Sequence, residues 1–100
     1  MIVVRFVMMC HPDKTEQAIA VLQEVIAASR ELEGVVSFDI GRDLADPDSL
    51  IATEIFTDRE ALDRQESLPE VAKAMDLFEE VLAAPPQAMI FHVSSSEPYQ

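Results

Sequence analysis

The order of strand-like and helix-like segments is the feature that most restricts the fold of this 100-residue chain. Residues 2–9 are β-branched and apolar, and residues 35–43 alternate apolar with polar side chains. Two further strand-like runs occupy residues 50–57 and 87–93. Residues 43–49 are rich in Asp and contain a proline, which is typical of a turn. The chain therefore contains four predicted strands, the second and third of which form a hairpin.

A helix is predicted between the first two strands. Apolar side chains recur there at spacings of three and four residues, which is the pattern of one buried helical stripe. Asp13 and Glu16 have the spacing of a capping box, so we expect the helix to begin at this point. Gly34 is expected to end it.

The segment between the third and fourth strands contains two helix starts. Thr57 with Glu60, and Ser67 with Glu70, each have the spacing of a capping box. We therefore expect two successive helices, at about residues 58–66 and 68–83.

The order strand, helix, strand, strand, helical pair, strand predicts an α+β fold of the ferredoxin-like split βαβ type, with an antiparallel sheet. One domain is expected over residues 1–93, followed by a C-terminal tail at 94–100.

The charge of the chain disfavours several classes of partner. A formal net charge of −12 repels phosphate backbones and anionic membrane surfaces, so no nucleic-acid or membrane partner is expected. The acidic side chains serve either general solubility or adaptation to high salt. The first residues lack the features of a secretion signal, and the chain has one cysteine, so we expect a cytoplasmic protein. With only two histidines in the chain, no metal site is expected.

Alternation within the strands sorts their side chains onto two faces of the sheet. One set is almost wholly apolar and is expected to pack under the helices: Val4, Phe6, Met8, Val36, Phe38, Ile40, Met89, Phe91 and Val93. The opposite set is mixed and includes Arg5, Met9, Asp39, Glu54, Phe56 and His92. Because the mixed face stays partly apolar, we expect a second copy of the chain to cover it, which gives a homodimer through the sheet face.

Several short motifs are typical of one family. They comprise Gly34, Ser37, Phe38, Asp43, Asp46, Pro47, Glu54, Phe56, Asp58, Ala61, Leu62, Ser67 and Pro69. With these residues, the region from 2 to 93 resembles the antibiotic biosynthesis monooxygenase family of dimeric α+β barrels. The chain departs from the family at two positions, since Gln65 and Glu70 stand where the family usually has histidines.

The resemblance implies an activity. Many family members oxygenate electron-rich aromatic molecules such as quinols and anthrones without metal or flavin, so no cofactor is expected. This chemistry needs a base, a partner for the substrate anion and a pocket that excludes water. We expect Glu54 or His92 to be the base and Arg5 the anion partner.

The remaining candidate contacts are Met9, Asp39 and Phe56, which we expect to bind a small aromatic substrate. A pocket is expected beside the face opposite the helices, with at least two of Arg5, Glu54, Phe56 and His92 in its wall. Two alternatives stay open. The polar groups of this face pair across a dimer interface, or the protein binds a small molecule without turnover, which the missing histidines favour.

Overall fold

Four antiparallel strands form one sheet in the order β2-β3-β1-β4 in the computed structural model, which describes all 100 residues. The elements are β1 (Ile2–Met9), α1 (Thr15–Arg30), β2 (Val35–Asp43), β3 (Asp46–Phe56), α2 (Arg59–Glu66), α3 (Pro69–Val81) and β4 (Gln87–His92). The predicted α+β, ferredoxin-like fold is thereby confirmed. None of the three helices combines the length and the apolar character that crossing a bilayer requires.

The register of the central strands decides which side chains face the helices. Side chains directly opposite each other on antiparallel strands project from the same face. Val4 lies opposite Glu54 between β1 and β3, and Phe38 of β2 lies opposite the same glutamate. In the same way Ile2 lies opposite Phe56. Glu54 and Phe56 therefore face the helices, and their predicted placement on the opposite face is wrong.

The edge strand β4 is also in the opposite phase to the predicted one. Ile90, which pairs with Val4, is on the helix side together with His92. Met89 and Phe91 are on the face of the sheet opposite the helices, which we call the outer face. Every residue of β4 is exposed, and apolar side chains occur at both parities of its sequence QAMIFH. Its alternation pattern therefore carried no information about its faces.

The core lies between the sheet and the helices. The buried apolar residues include Ile2, Val4, Met8, Phe38, Leu50, Ala52 and Phe56 from the sheet and Ala18, Leu22, Val25, Ala61, Leu62, Ala74 and Val81 from the helices. Phe6 and Ile40 pack against this cluster, as the sequence predicts. Val36 does not, because it lies at an irregularity in the pairing of β2 with β3 and is 55% exposed.

The two helices after β3 are confirmed, but their caps differ from the predicted ones. Asp58 caps α2, accepting a hydrogen bond from the N–H of Ala61 at 2.9 Å. Ser67 ends α2 and donates its hydroxyl hydrogen to the carbonyl of Asp63 at 2.8 Å, so it does not cap α3. The helix α1 likewise begins without a side-chain cap. Capping-box spacing alone therefore located the breaks to within a few residues without identifying the capping groups.

Gly34 joins α1 to the sheet at a position where no other residue fits. Its φ is +88°, a left-handed conformation that glycine adopts without strain. Its carbonyl accepts a hydrogen bond from the N–H of Thr57 at 2.9 Å. A Cβ atom at this position would lie 2.6 Å from the Cβ of Ala61 in α2.

Gly34→Ala is therefore expected to lower the free energy of unfolding by about 1–3 kcal/mol or more, because left-handed strain and the contact with Ala61 add together. Urea denaturation measures the loss. Gly41→Ala is the matched control, since a Cβ there meets nothing within 4 Å. Equal stabilities of the two variants would contradict this account of Gly34.

Candidate functional site

A cavity of about 310 Å³ lies between the sheet and the three helices. Fifteen of its eighteen lining residues are hydrophobic. They are Val4, Phe6, Met8, Leu22, Val25, Phe38, Ile40, Ala52, Leu62, Val71, Ala74, Met75, Phe78, Ala88 and Ile90, and the other three are Glu54, Gln65 and Glu66. This size and composition are typical of a site for a small organic ligand.

Small side chains leave the space that forms the cavity. Ala52 of β3 and Ala74 of α3 both line the cavity, and both are buried. Ala88 contributes a third short side chain from β4. Three short side chains, from β3, α3 and β4, therefore contribute to the open space of the cavity.

Glu54 is the one polar residue that the sheet contributes to the cavity wall, and it is buried. It is 9% exposed and lies between Val4 and Phe38 on the neighbouring strands. Its carboxyl group has no hydrogen-bond partner in the protein. Every side-chain oxygen that is fully enclosed in this structure does have a hydrogen-bond partner, so the oxygens of Glu54 are not fully enclosed and open onto the cavity. Burial, and secondarily the negative charge of Glu66, raise the pKa of Glu54 from 4.5 to about 7.

Gln65 brings the helical corner into the cavity wall. It is 4% exposed, and its Nε2 donates a hydrogen bond to the hydroxyl of Ser29 at 3.1 Å. Its amide oxygen accepts no hydrogen bond and, like the Glu54 carboxyl, is not fully enclosed. Of the two positions where the family usually has histidines, that of Gln65 lines the cavity and that of Glu70 does not. Because an amide cannot titrate, Glu54 is the deeply buried titratable group of this site.

Three of the predicted site residues lie on the outer face, away from the cavity. Arg5 is opposite Thr53, and Asp39 forms an ion pair with Arg30 at 2.9 Å. Met9 is 44% exposed at the end of β1. The structure does not bring these residues to the cavity.

The other three predicted residues face the helices, but only Glu54 reaches the cavity. Phe56 is fully buried in the core beside α2 and does not line the space. His92 is exposed at the end of the edge strand. The expectation of a pocket on the outer face, with two or more of these groups in its wall, is wrong.

The predicted position of Glu54 is wrong because the prediction assumed that a charged residue lies on the polar face of its strand. The residues two positions before and after it are Ala52 and Phe56, and Leu50 shares the same parity. These apolar residues on the same side of the strand were the available signal that Glu54 faces the helices. Position 65 was marked by the resemblance, as one where the family usually has a histidine. The cavity residues of α3 carried no signal beyond the helical periodicity that also predicts ordinary core.

Neither the cysteine nor the acidic residues form another reactive centre. Burial is the main cause that raises the pKa of the Cys10 thiol, which disfavours the nucleophilic thiolate. No three or more His, Cys, Asp or Glu side chains lie together in a geometry that could hold a metal ion.

The structure is that of a ferredoxin-like α+β protein with a largely apolar cavity, in whose wall Glu54 is the deeply buried carboxyl group. The model of the antibiotic biosynthesis monooxygenase family matches residues 1–77. This chain belongs to that family, which confirms the resemblance found in the sequence. The match covers every element except the end of α3 and β4.

Known structures share the fold over nearly the whole chain. Rv0793 from Mycobacterium tuberculosis superposes with a TM-score of 0.89 at 22% identity, covering 97% of this chain and 98% of that one. PA3566 from Pseudomonas aeruginosa superposes with a TM-score of 0.85 at 18% identity, covering 94% of each chain. A crystal structure of an antibiotic biosynthesis monooxygenase gives 0.87 at 17% identity, covering 95% of this chain and 100% of that one. At these identities the likeness shows the fold.

One relative in sequence is the uncharacterized protein sll1783 from Synechocystis. It is 28% identical to this chain over 86 residues, which is 86% of this chain. The chain spans only 58% of the length of that relative.

The raised pKa of Glu54 makes a prediction about stability. In the unfolded chain the carboxyl ionises near pH 4.5, whereas in the folded protein it keeps its proton up to about pH 7. Its contribution is therefore fully present below pH 4.5 and is lost as the pH rises through 7. Relative to Glu54→Gln, the unaltered protein should lose up to about 3 kcal/mol of unfolding free energy between pH 4.5 and 8.

Urea denaturation at several pH values measures this difference. Glu79→Gln is the control, because it removes one carboxyl that is exposed and outside the cavity. A difference between the unaltered protein and Glu54→Gln that stays constant with pH would show that Glu54 is not desolvated.

Proposed function

We propose that the protein is a cofactor-independent monooxygenase that oxidises a small electron-rich aromatic molecule, such as a quinol, in the cavity between the sheet and the helices. The observation that carries this proposal is Glu54, an unpartnered carboxyl group with a pKa of about 7 in a wall that is mostly apolar. Family membership supports the same reaction class.

Glu54 suits the role of general base. A phenolic hydroxyl has a pKa near 10, so transfer of its proton to a carboxylate with a pKa of 4.5 is uphill by about 7 kcal/mol. Raising the pKa of Glu54 to about 7 reduces this cost to about 4 kcal/mol. The transfer moves a negative charge from Glu54 to the substrate without adding one to the cavity. The protonated carboxyl then donates a hydrogen bond to the phenolate and stabilises its negative charge. No cationic side chain lines the cavity to do this instead.

The reaction that follows is balanced without a protein cofactor. The phenolate gives one electron to O₂, and the resulting radical pair joins at a ring carbon to form a peroxide anion. This anion takes the proton back from Glu54, which gives a hydroperoxide and restores the carboxylate. Loss of water breaks the O–O bond and the C–H bond at that carbon and leaves a carbonyl group. A quinol and O₂ thus yield a hydroxyquinone and one water molecule. The apolar wall excludes bulk water from the intermediate.

Oxygen uptake with a panel of quinols tests this proposal, with and without added haem, flavin or metal. Glu54→Gln is expected to lower kcat/KM by about 100-fold or more while binding is retained, since a positioned base contributes about that much. His92→Ala and Arg5→Gln are matched controls outside the cavity and are expected to change the rate only a few-fold. The rate of the unaltered enzyme should rise with pH through about 7, as Glu54 ionises.

Binding of the quinols without oxygen uptake would refute the monooxygenase. It would instead support a protein that binds a small molecule without turnover, a reading favoured by Gln65 at the cavity position where relatives usually have a histidine.

We also propose that the working form is a homodimer packed through the outer face of the sheet. Met89 and Phe91 are 59% and 47% exposed there, and Met9 is 44% exposed on the same face. No helix of the chain covers this surface, and an apolar sheet face of this kind is typical of an interface.

Light scattering should therefore give a mass near twice the 11.1 kDa of one chain. Phe91→Glu is expected to shift the protein to monomers, because it would bury a charge in the interface. Leu44→Glu is the matched control, since Leu44 is fully exposed in the turn between β2 and β3, away from the sheet face. A monomer for the unaltered chain at micromolar concentration would refute the dimer.

A further inference from the structure

The cavity wall carries negative charge and no positive charge. Glu54 and Glu66 are its only ionisable residues. The basic side chains nearest in sequence to the cavity residues are engaged elsewhere: Arg64 donates to the carbonyl of Glu33 at 3.1 Å, and Lys73 pairs with Glu24 at 3.1 Å. An anion in this cavity would meet like charge in an apolar setting, where electrostatic repulsion is strong.

Aromatic rings form part of the same wall. Phe6, Phe38 and Phe78 line the cavity, and the rings of Phe6 and Phe78 lie with their centroids 6.3 Å apart and their planes tilted by 30°. The face of an aromatic ring carries partial negative charge and attracts an organic cation, most strongly where water is excluded.

Glu54 has no counter-ion within the protein. It is only 9% exposed, its carboxyl oxygens open onto the cavity, and it receives no hydrogen bond. The residues around the cavity from β1, β2, β4, α1 and α3 are all uncharged. From α2, Gln65 is neutral and Glu66 is an additional negative charge. A positive charge beside Glu54 would therefore satisfy the only buried ionisable group of the site.

The shape of the site limits the kind of cation. A metal ion requires several polar ligands, and the cavity offers two carboxyl groups and one amide among fifteen hydrophobic residues. A volume of about 310 Å³ suits a ligand of one or two rings.

We propose that the cavity binds apolar organic cations, in which an ammonium group attached to an aromatic ring lies beside Glu54 and the ring lies among Phe6, Phe38 and Phe78. Aromatic anions of the same shape are excluded while Glu54 is ionised. This ligand class goes beyond the oxygenation proposed above and does not depend on turnover.

Three probes of matched shape test the proposal by NMR titration of the backbone amides of the cavity. They are the cation phenyltrimethylammonium, its uncharged isostere tert-butylbenzene, and the anion benzenesulfonate. The cation should bind about 30-fold more tightly at pH 8.5 than at pH 5.5, if only the ionised form of a group with a pKa of about 7 binds it. The affinity of tert-butylbenzene should not change with pH, and benzenesulfonate should not bind at pH 8.5, where Glu54 is ionised.

Variants assign the effect to the carboxyl groups. Glu54→Gln should lower cation affinity at pH 8.5 at least 10-fold and abolish its pH dependence. Glu66→Gln should keep the pH dependence but move its midpoint to lower pH, since removing this negative charge lowers the pKa of Glu54. Glu66 is exposed, so this variant should fold even where Glu54→Gln does not. Glu79→Gln should bind like the unaltered protein.

Cation affinity that is equal at both pH values, benzenesulfonate binding as tight as that of the cation, or an unchanged midpoint in Glu66→Gln would each overturn the proposal. Oxygen uptake with quinols does not enter this test. A protein that oxygenates quinols but does not bind phenyltrimethylammonium would refute the cation site alone, and the reverse result would refute the monooxygenase alone.

Discussion

The antiparallel pairing of β3 with β1 and β2 is the constraint on which the rest of the molecule depends. A shift of one residue would move every side chain of β3 to the other face. In the observed register Leu50, Ala52 and Phe56 enter the core, and Glu54 enters with them. The free-energy cost of burying the Glu54 carboxyl group is offset because the apolar side chains on the same side of β3 are buried in the same register. Desolvation of Glu54 thus follows from the register of the whole strand.

The fold was predictable from the sequence because several local patterns independently indicate the same order of helices and strands. The strand at 2–9, the stripe of α1, the turn residues after Asp43 and the break near Ser67 each point to the same element order. Where two adjacent residues could each cap the same helix, the sequence is less informative. Thr57 and Asp58 are both good capping residues, and in the structure the side chain of Asp58 caps α2 while the backbone N–H of Thr57 donates to the carbonyl of Gly34.

The candidate site was less predictable because it depends on sheet faces and on empty space. Glu54 and His92 were both predicted as a possible base, and both were assigned to the wrong face of the sheet. The phase of β4 could not be read from an edge strand that is apolar at both parities. Alanine at positions 52 and 74 predicts nothing about a cavity until the distance between helix and sheet is known.

Two of the three alanines that line the cavity lie on elements that carry neither of its carboxyl groups. Ala74 belongs to α3, whereas Glu54 and Glu66 belong to β3 and α2. Ligand size and proton affinity are thus set by separate positions, so either property can change in a descendant of this sequence while the other is kept. A fold arranged in this way can change the size of its cavity by exchanging one small side chain for another, without changing the carboxyl groups in the wall.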